Sequence, residues 1–116
     1  MDAPDLEADR SRYTDTAVGY WNAVQAGDGE RATAYTREGE RLVDRWVEAG
    51  KVESLLVPLL SDPNDKVRYA AAADLLRLDR DVDRSVAVLE ALIASPVGLV
   101  SPTARLLLMT RNRDHS

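Results

Sequence analysis

The sequence has no cysteine, no phenylalanine, one histidine and one isoleucine in 116 residues. Without cysteine there is neither a disulfide nor a thiolate metal site. The single imidazole, His115, stands next to the last residue, so a transition-metal centre lacks ligands and none is expected. No apolar run approaches the roughly 20 residues that cross a bilayer, and no membrane association is expected. The opening Met1-Asp2-Ala3-Pro4-Asp5 is acidic and polar, whereas a secretory signal is basic and then apolar; a cytoplasmic protein is expected. A phosphate-cradling glycine loop is also missing. Gly27-Asp28-Gly29 is too short for one, and no Lys-Ser/Thr pair follows it.

What the chain does have is charge, unevenly spread. The formal net charge is −5. Residues 1–60 hold twelve acids against seven bases, and residues 61–116 hold eight of each. Nucleic-acid binders show the opposite balance, a basic patch or stripe, so no nucleic-acid partner is expected. An acidic surface keeps a protein soluble, and it also steers a basic protein partner towards itself. Both readings stand on charge alone. Arginine outnumbers lysine thirteen to two, as codon bias in a GC-rich bacterial genome would produce.

The apolar residues recur at helical spacing and nowhere alternate as a half-buried strand requires. A first helix is expected over about 5–26, with Leu6, Tyr13, Ala17, Tyr20, Trp21 and Val24 inward. A second, over about 30–49, places Tyr35, Leu42, Val43, Trp46 and Val47 inward, and the two tryptophans are expected to pack in the core between these helices. A short third helix over about 52–60 contains Pro58, which removes a backbone bond and should kink it. Asp62 is read as the cap of a fourth helix with Pro63 in its first turn, running to about Leu78. Val82, Val86, Leu89, Leu92 and Ile93 line a fifth, which Ser95-Pro96-Val97-Gly98 breaks. Ser101-Pro102 starts a sixth, with Ala104, Leu107, Leu108 and Met109 inward and a frayed tail from Asn112.

A shift of 33 residues lays the third and fourth helices over the fifth and sixth. Leu56 meets Leu89, Leu59 meets Leu92, Pro63 meets Pro96, Val67 meets Val100, Ala71 meets Ala104 and Leu75 meets Leu108. Such a register marks helix–turn–helix repeats that bury their apolar faces by stacking. The expected fold is therefore all-α, an α–α superhelix of about six helices in three antiparallel hairpins. It forms a single domain over 1–116, with a long-helix capping unit at 1–50 and repeat units at 51–80 and 81–112.

The stretch from Leu55 to Ala71, with its proline-kinked helix, turn aspartate, Val67-Arg68 and alanines, resembles a HEAT repeat. In that family the turn aspartate and the arginine after valine form a polar ladder between units, positions that Asp62 and Arg68 match. Ser101 replaces the arginine in the second unit, leaving the ladder incomplete. The Leu-Leu-x-Pro-Leu-Leu run, Val67-Arg68-x-x-Ala71-Ala72, and Leu78-Asp79 leading into Val86-x-Val88-Leu89-Glu90 together resemble one bacterial family. It is the HEAT-like domain-of-unknown-function family numbered two-thousand-nineteen, and the resemblance covers about Asp15 to Met109. It implies no reaction and no cofactor. Some small HEAT-like proteins are immunity proteins that neutralise a toxin, an analogy of fold and size.

The candidate functional residues are charged rather than catalytic. On the second helix Glu40, Asp44 and Glu48 form a stripe beside Arg37, Arg41 and Arg45, each arginine expected to reach the acid three residues later. With Glu30 these acids form a solvated face or a ridge that meets a protein partner. Asp79, Asp81 and Asp83 alternate as in a calcium loop, but the sixth position is Arg84 rather than glycine, which favours helix capping over a cation site. The sequence thus points to a non-catalytic protein-binding module, an immunity-type inhibitor of a basic toxin or nuclease. The alternative is a structural or regulatory subunit of a larger assembly.

Overall fold

The structure is a computed structural model that describes residues 6–94 and 100–115, with side chains described for 8–94 and 100–111. The break expected at Ser95–Gly98 and the side chains of Leu6 and His115 lie outside the described residues. The described chain is all-α. Its elements are α1 (Leu6–Gln25), α2 (Gly29–Glu48), α3 (Val52–Leu56), a 3-10 turn (Val57–Ser61), α4 (Asp65–Arg77), α5 (Val82–Ala94) and α6 (Val100–His115). Helix α6 runs through His115, past the expected fraying point at Asn112. The chain divides into two compact units, Met1–Leu55 and Leu56–Ser116.

In the first unit α1 and α2 form a hairpin, and its contacts give the register. Asp9 meets Arg45, Thr16 lies by Gly39, and Gly19 lies by Tyr35. Rising numbers on α1 meet falling numbers on α2, so the helices are antiparallel. A Cβ on Gly19 would come within 2.5 Å of the Tyr35 ring, so glycine is what lets that ring lie across α1. Tyr13, Trp21, Leu42, Val43 and Trp46 are buried. The ring partner of Trp46 is Tyr13, with centroids 5.4 Å apart, and that of Trp21 is Tyr20, at 5.5 Å edge to face. Tyr35 is only half-buried, and Val47 is 37% exposed rather than inward. At 100° per residue Val47 falls at the edge of the apolar stripe centred on Leu42, Gly39 and Trp46.

In the second unit α4 packs against the 3-10 turn, α5 and α6, and α5 packs against α6. Pro58 acts as expected. The α-helix gives way to 3-10 geometry at Val57, so the kink is a change of helix type. The start of α4 differs from expectation. Asp62 precedes a proline and is extended (φ −64°, ψ 140°), but Asn64 is extended as well (φ −87°, ψ 119°), so the helix begins at Asp65, too late for Asp62 to cap it directly. Its carboxylate accepts from the Asn64 N–H at 2.8 Å, and the Asn64 side chain in turn caps α4, accepting from the Lys66 N–H at 2.9 Å. Pro63 thus stays outside the helix. Ala71 and Ala72 have no exposed surface, as close helix approach requires. Met109 is 54% exposed; it lies five residues, or about 140° of helix, from buried Ala104 and cannot share its face.

Arg68 and Ser101, 33 residues apart, each reach back to a carbonyl, though the two acceptors do not share that register. Arg68 donates from Nη1 to the Asp62 carbonyl at 3.1 Å. Ser101, its counterpart, donates from Oγ to the Ile93 carbonyl at 3.2 Å. In both cases a residue in the first turn of one helix satisfies a carbonyl left open at the end of the preceding one.

Among the described residues three helices end alike. After α1, α2 and α4, the residues Gly27, Gly50 and Asp79 adopt positive φ of 74°, 69° and 57°. The next two N–H groups in each case turn back onto the helix: for α4, Asp79 N–H to the Leu76 carbonyl and Arg80 N–H to the Leu75 carbonyl. This is the Schellman arrangement, which favours glycine. Asp79 is therefore strained where its two counterparts are not.

Two stability outcomes follow. Ala71→Leu should cost about 1–3 kcal/mol through overpacking, whereas Glu40→Ala on an exposed turn should stay within about 0.5 kcal/mol; equal urea midpoints would mean that α4 faces the other way. Asp79→Gly should raise stability by about 1 kcal/mol by relieving the left-handed strain, and an unchanged or lower thermal midpoint would refute that.

Candidate protein-interaction surface

The exposed charge of α2 is organised by which arginines are already engaged. Arg41 hydrogen-bonds Glu38, three residues before it. Arg45 reaches out of its own helix to Asp9 on α1, with Nη1 to Oδ2 at 3.0 Å. Arg12 of α1 adds a charge 4.0 Å from Glu38. The expected forward pairs, Arg41 with Asp44 and Arg45 with Glu48, are not what forms. A helical side chain leans towards the N-terminus, so an arginine reaches an acid before it more readily than one after it.

The consequence lies on the outer side of the helix. Glu30, Glu40, Asp44 and Glu48 are all exposed, and among the described residues none has an ion-pair partner. They share that side with Arg37 and with the engaged Arg41. The ridge keeps a negative excess because the arginines beside it are drawn to Glu38 and Asp9.

Asp9 is the residue that periodicity missed. It is 7% exposed, although acidic, and it sits at the helical register of Tyr13 and Ala17 on the buried stripe of α1. A carboxylate at that register needs a cation within reach, and Arg45 supplies it. The arginine itself is half exposed, so the pair stands at the rim of the hairpin. Glu38 is also partly covered. Its carboxyl is held below its ordinary value, first by the Arg41 hydrogen bond, against an opposing push from burial, with the charges of Arg41, Arg12 and Arg45 adding to the lowering.

The other sequence candidates fall elsewhere. Asp62 and Arg68 lie together in the second unit, joined through a carbonyl rather than a carboxylate. Asp79 and Asp81 both have positive φ, and Asp81 accepts the Ser85 N–H at its carbonyl while its carboxylate lies 3.8 Å from Arg84. That accounts for aspartate at both turn positions without a cation, because aspartate tolerates left-handed backbone better than most residues. Among the described residues no group of three or more His, Cys, Asp or Glu side chains is placed to hold a metal ion. No described helix is long and apolar enough to cross a membrane. No family model, no curated protein and no solved structure matches this chain.

The Glu38 contact should be visible as a pH effect. A folded-state value below the unfolded one adds stability above the ordinary glutamate range, and that stability disappears as pH falls through the folded value. Glu38→Gln should therefore be less stable than the parent at neutral pH, by less than about 1 kcal/mol for a partly exposed pair. The two proteins should converge in acid. A gap in urea midpoint that stays constant from neutral pH into acid would exclude the ion pair as its source.

Proposed function

We propose that this chain is a non-catalytic, HEAT-like binding protein that recognises a protein partner through the outer ridge of α2. The partner presents a basic surface to Glu30, Glu40, Asp44 and Glu48. The observation that carries the reading is the pairing pattern: Arg41 and Arg45 are engaged with Glu38 and Asp9, and the four ridge carboxylates are left without a described partner. Carboxylates already paired gain little from a new cation, whereas unpaired ones on a rigid helix attract it without prior rearrangement.

The concrete form proposed is an immunity-type inhibitor acting in the cytoplasm, in which the acidic ridge covers the cationic cleft of a toxin or nuclease and blocks it sterically. The resemblance to small bacterial HEAT-like proteins supports this form. A second reading, a structural or regulatory subunit of a larger assembly, draws on the exposed Leu106 and Met109 of α6.

The test is partner capture by the wild-type chain and by Asp44→Lys/Glu48→Lys, followed by stopped-flow association at two salt concentrations. The double reversal should abolish capture while far-UV circular dichroism stays unchanged. The association rate should fall as salt rises, with dissociation changing less. Binding that ignores both the reversal and the salt would remove the acidic ridge and leave the assembly reading.

A further inference from the structure

Three large apolar side chains stand exposed among the described residues: Leu106 at 64%, Met109 at 54% and Val47 at 37%. They fall on two surfaces of opposite charge. Leu106 and Met109 are neighbours on one side of α6, one turn apart, with exposed Pro102 a turn earlier on the same stripe. The charges of α6 between Val100 and Arg111 are Arg105 and Arg111, with no acid in that span. Arg105 is exposed beside Met109, and among the described residues it has no ion-pair partner. Val47 lies on α2 between Asp44 and Glu48, the unpaired acids of the ridge.

We infer that α6 of one copy of this chain docks on the C-terminal part of the α2 ridge of a second copy. Leu106 and Met109 cover Val47, and Arg105 meets Asp44 and Glu48. The charge complementarity selects this occupant. A second α6 would set Arg105 against Arg105, and an α2–α2 contact would set acids against acids, whereas α6 against α2 pairs both the charges and the apolar groups. The contact is heterologous, since each copy uses one surface to give and a different one to receive. Self-association therefore continues beyond a dimer unless a ring closes. This inference uses part of the ridge proposed above, so assembly and binding of a basic partner compete for Asp44 and Glu48.

Sedimentation velocity on the full chain tests it without any external partner. The mass should rise above the 12.8 kDa monomer between about 10 µM and about 1 mM, the range of weak specific contacts. It should fall back towards the monomer as ionic strength rises from about 0.05 to about 0.5 M. Two variants localise the contact: Leu106→Ser/Met109→Ser removes the giving surface, and Asp44→Lys/Glu48→Lys removes the receiving one. Each should be monomeric alone. Mixed, they should form a 1:1 complex of twice the chain mass, because one keeps an intact ridge and the other an intact α6. Circular dichroism checks that both remain folded, and since all four positions are exposed the helices should persist.

A wild-type chain that stays monomeric throughout would overturn the inference. So would an assembly that survives Asp44→Lys/Glu48→Lys, which would mean α6 on α6, and so would variants that fail to combine. Arg105→Glu separates this from the functional proposal. It should weaken self-association at least several-fold and leave capture of a basic partner intact.

Discussion

Among the described residues three helices end on one residue of left-handed backbone, and the α1–α2 and α4–α5 hairpins depend on it. Gly27, Gly50 and Asp79 each let two N–H groups fold back onto the last turn, so the chain leaves the helix with its terminal carbonyls satisfied. Only a few residues then separate one helix from the next, which forces α1 and α2 to run antiparallel and pack along their length. The apolar stripes decide which faces meet, but the left-handed residue decides that they can. Without cysteine the fold has no covalent staple, and the turns set the geometry that packing then holds.

The same hairpin explains how an ordinary mixture of charges becomes a directional surface. Arginine and acid alternate along α2, and on an isolated helix they would largely neutralise one another. Two features prevent that. Side chains lean towards the N-terminus, which turns Arg41 to Glu38, and a buried acid on α1 at Asp9 claims Arg45. The requirement to neutralise Glu38 and Asp9 engages Arg41 and Arg45 and leaves Arg37 among four unpaired ridge acids. The negative excess of residues 1–60 thus becomes a feature of one helix face.

Much of the fold was legible because it rests on periodicity and on glycine and proline. The elements fall within a few residues of where the spacing put them, the Pro58 kink stands where its chemistry requires, and Asp28 caps α2 by accepting the Arg31 N–H at 3.1 Å. Errors cluster where a position is fixed by a neighbour in space. Val47 and Met109 are apolar, and their periodicity looked inward, yet nothing among the described residues covers them fully. Asp9 stood outside the inward set because an apolar periodicity does not count a charged residue. Asp62 lost its role as helix cap because the chain stays extended as far as Asn64, whose own side chain takes the cap. The ion pairs were misassigned for a related reason: sequence spacing gives two symmetric choices, and side-chain direction breaks the tie.

Misfit residues are also where function is best sought in an otherwise self-consistent helical protein. A sequence selected for stability alone has little reason to keep Leu106 and Met109 in water, or to leave Glu40, Asp44 and Glu48 without ion-pair partners along one helix. Solubility accounts for acids but not for exposed leucine, and core packing accounts for leucine but not for its exposure. The two surfaces have complementary charge and each carries exposed apolar area, and this is the ground for proposing that both are covered in use. Whether the cover is a basic partner on α2 or a second copy of the chain across α2 and α6, the energetic logic is the same. The rigid hairpins hold the side chains in place before contact, so little ordering remains to be done when the partner arrives.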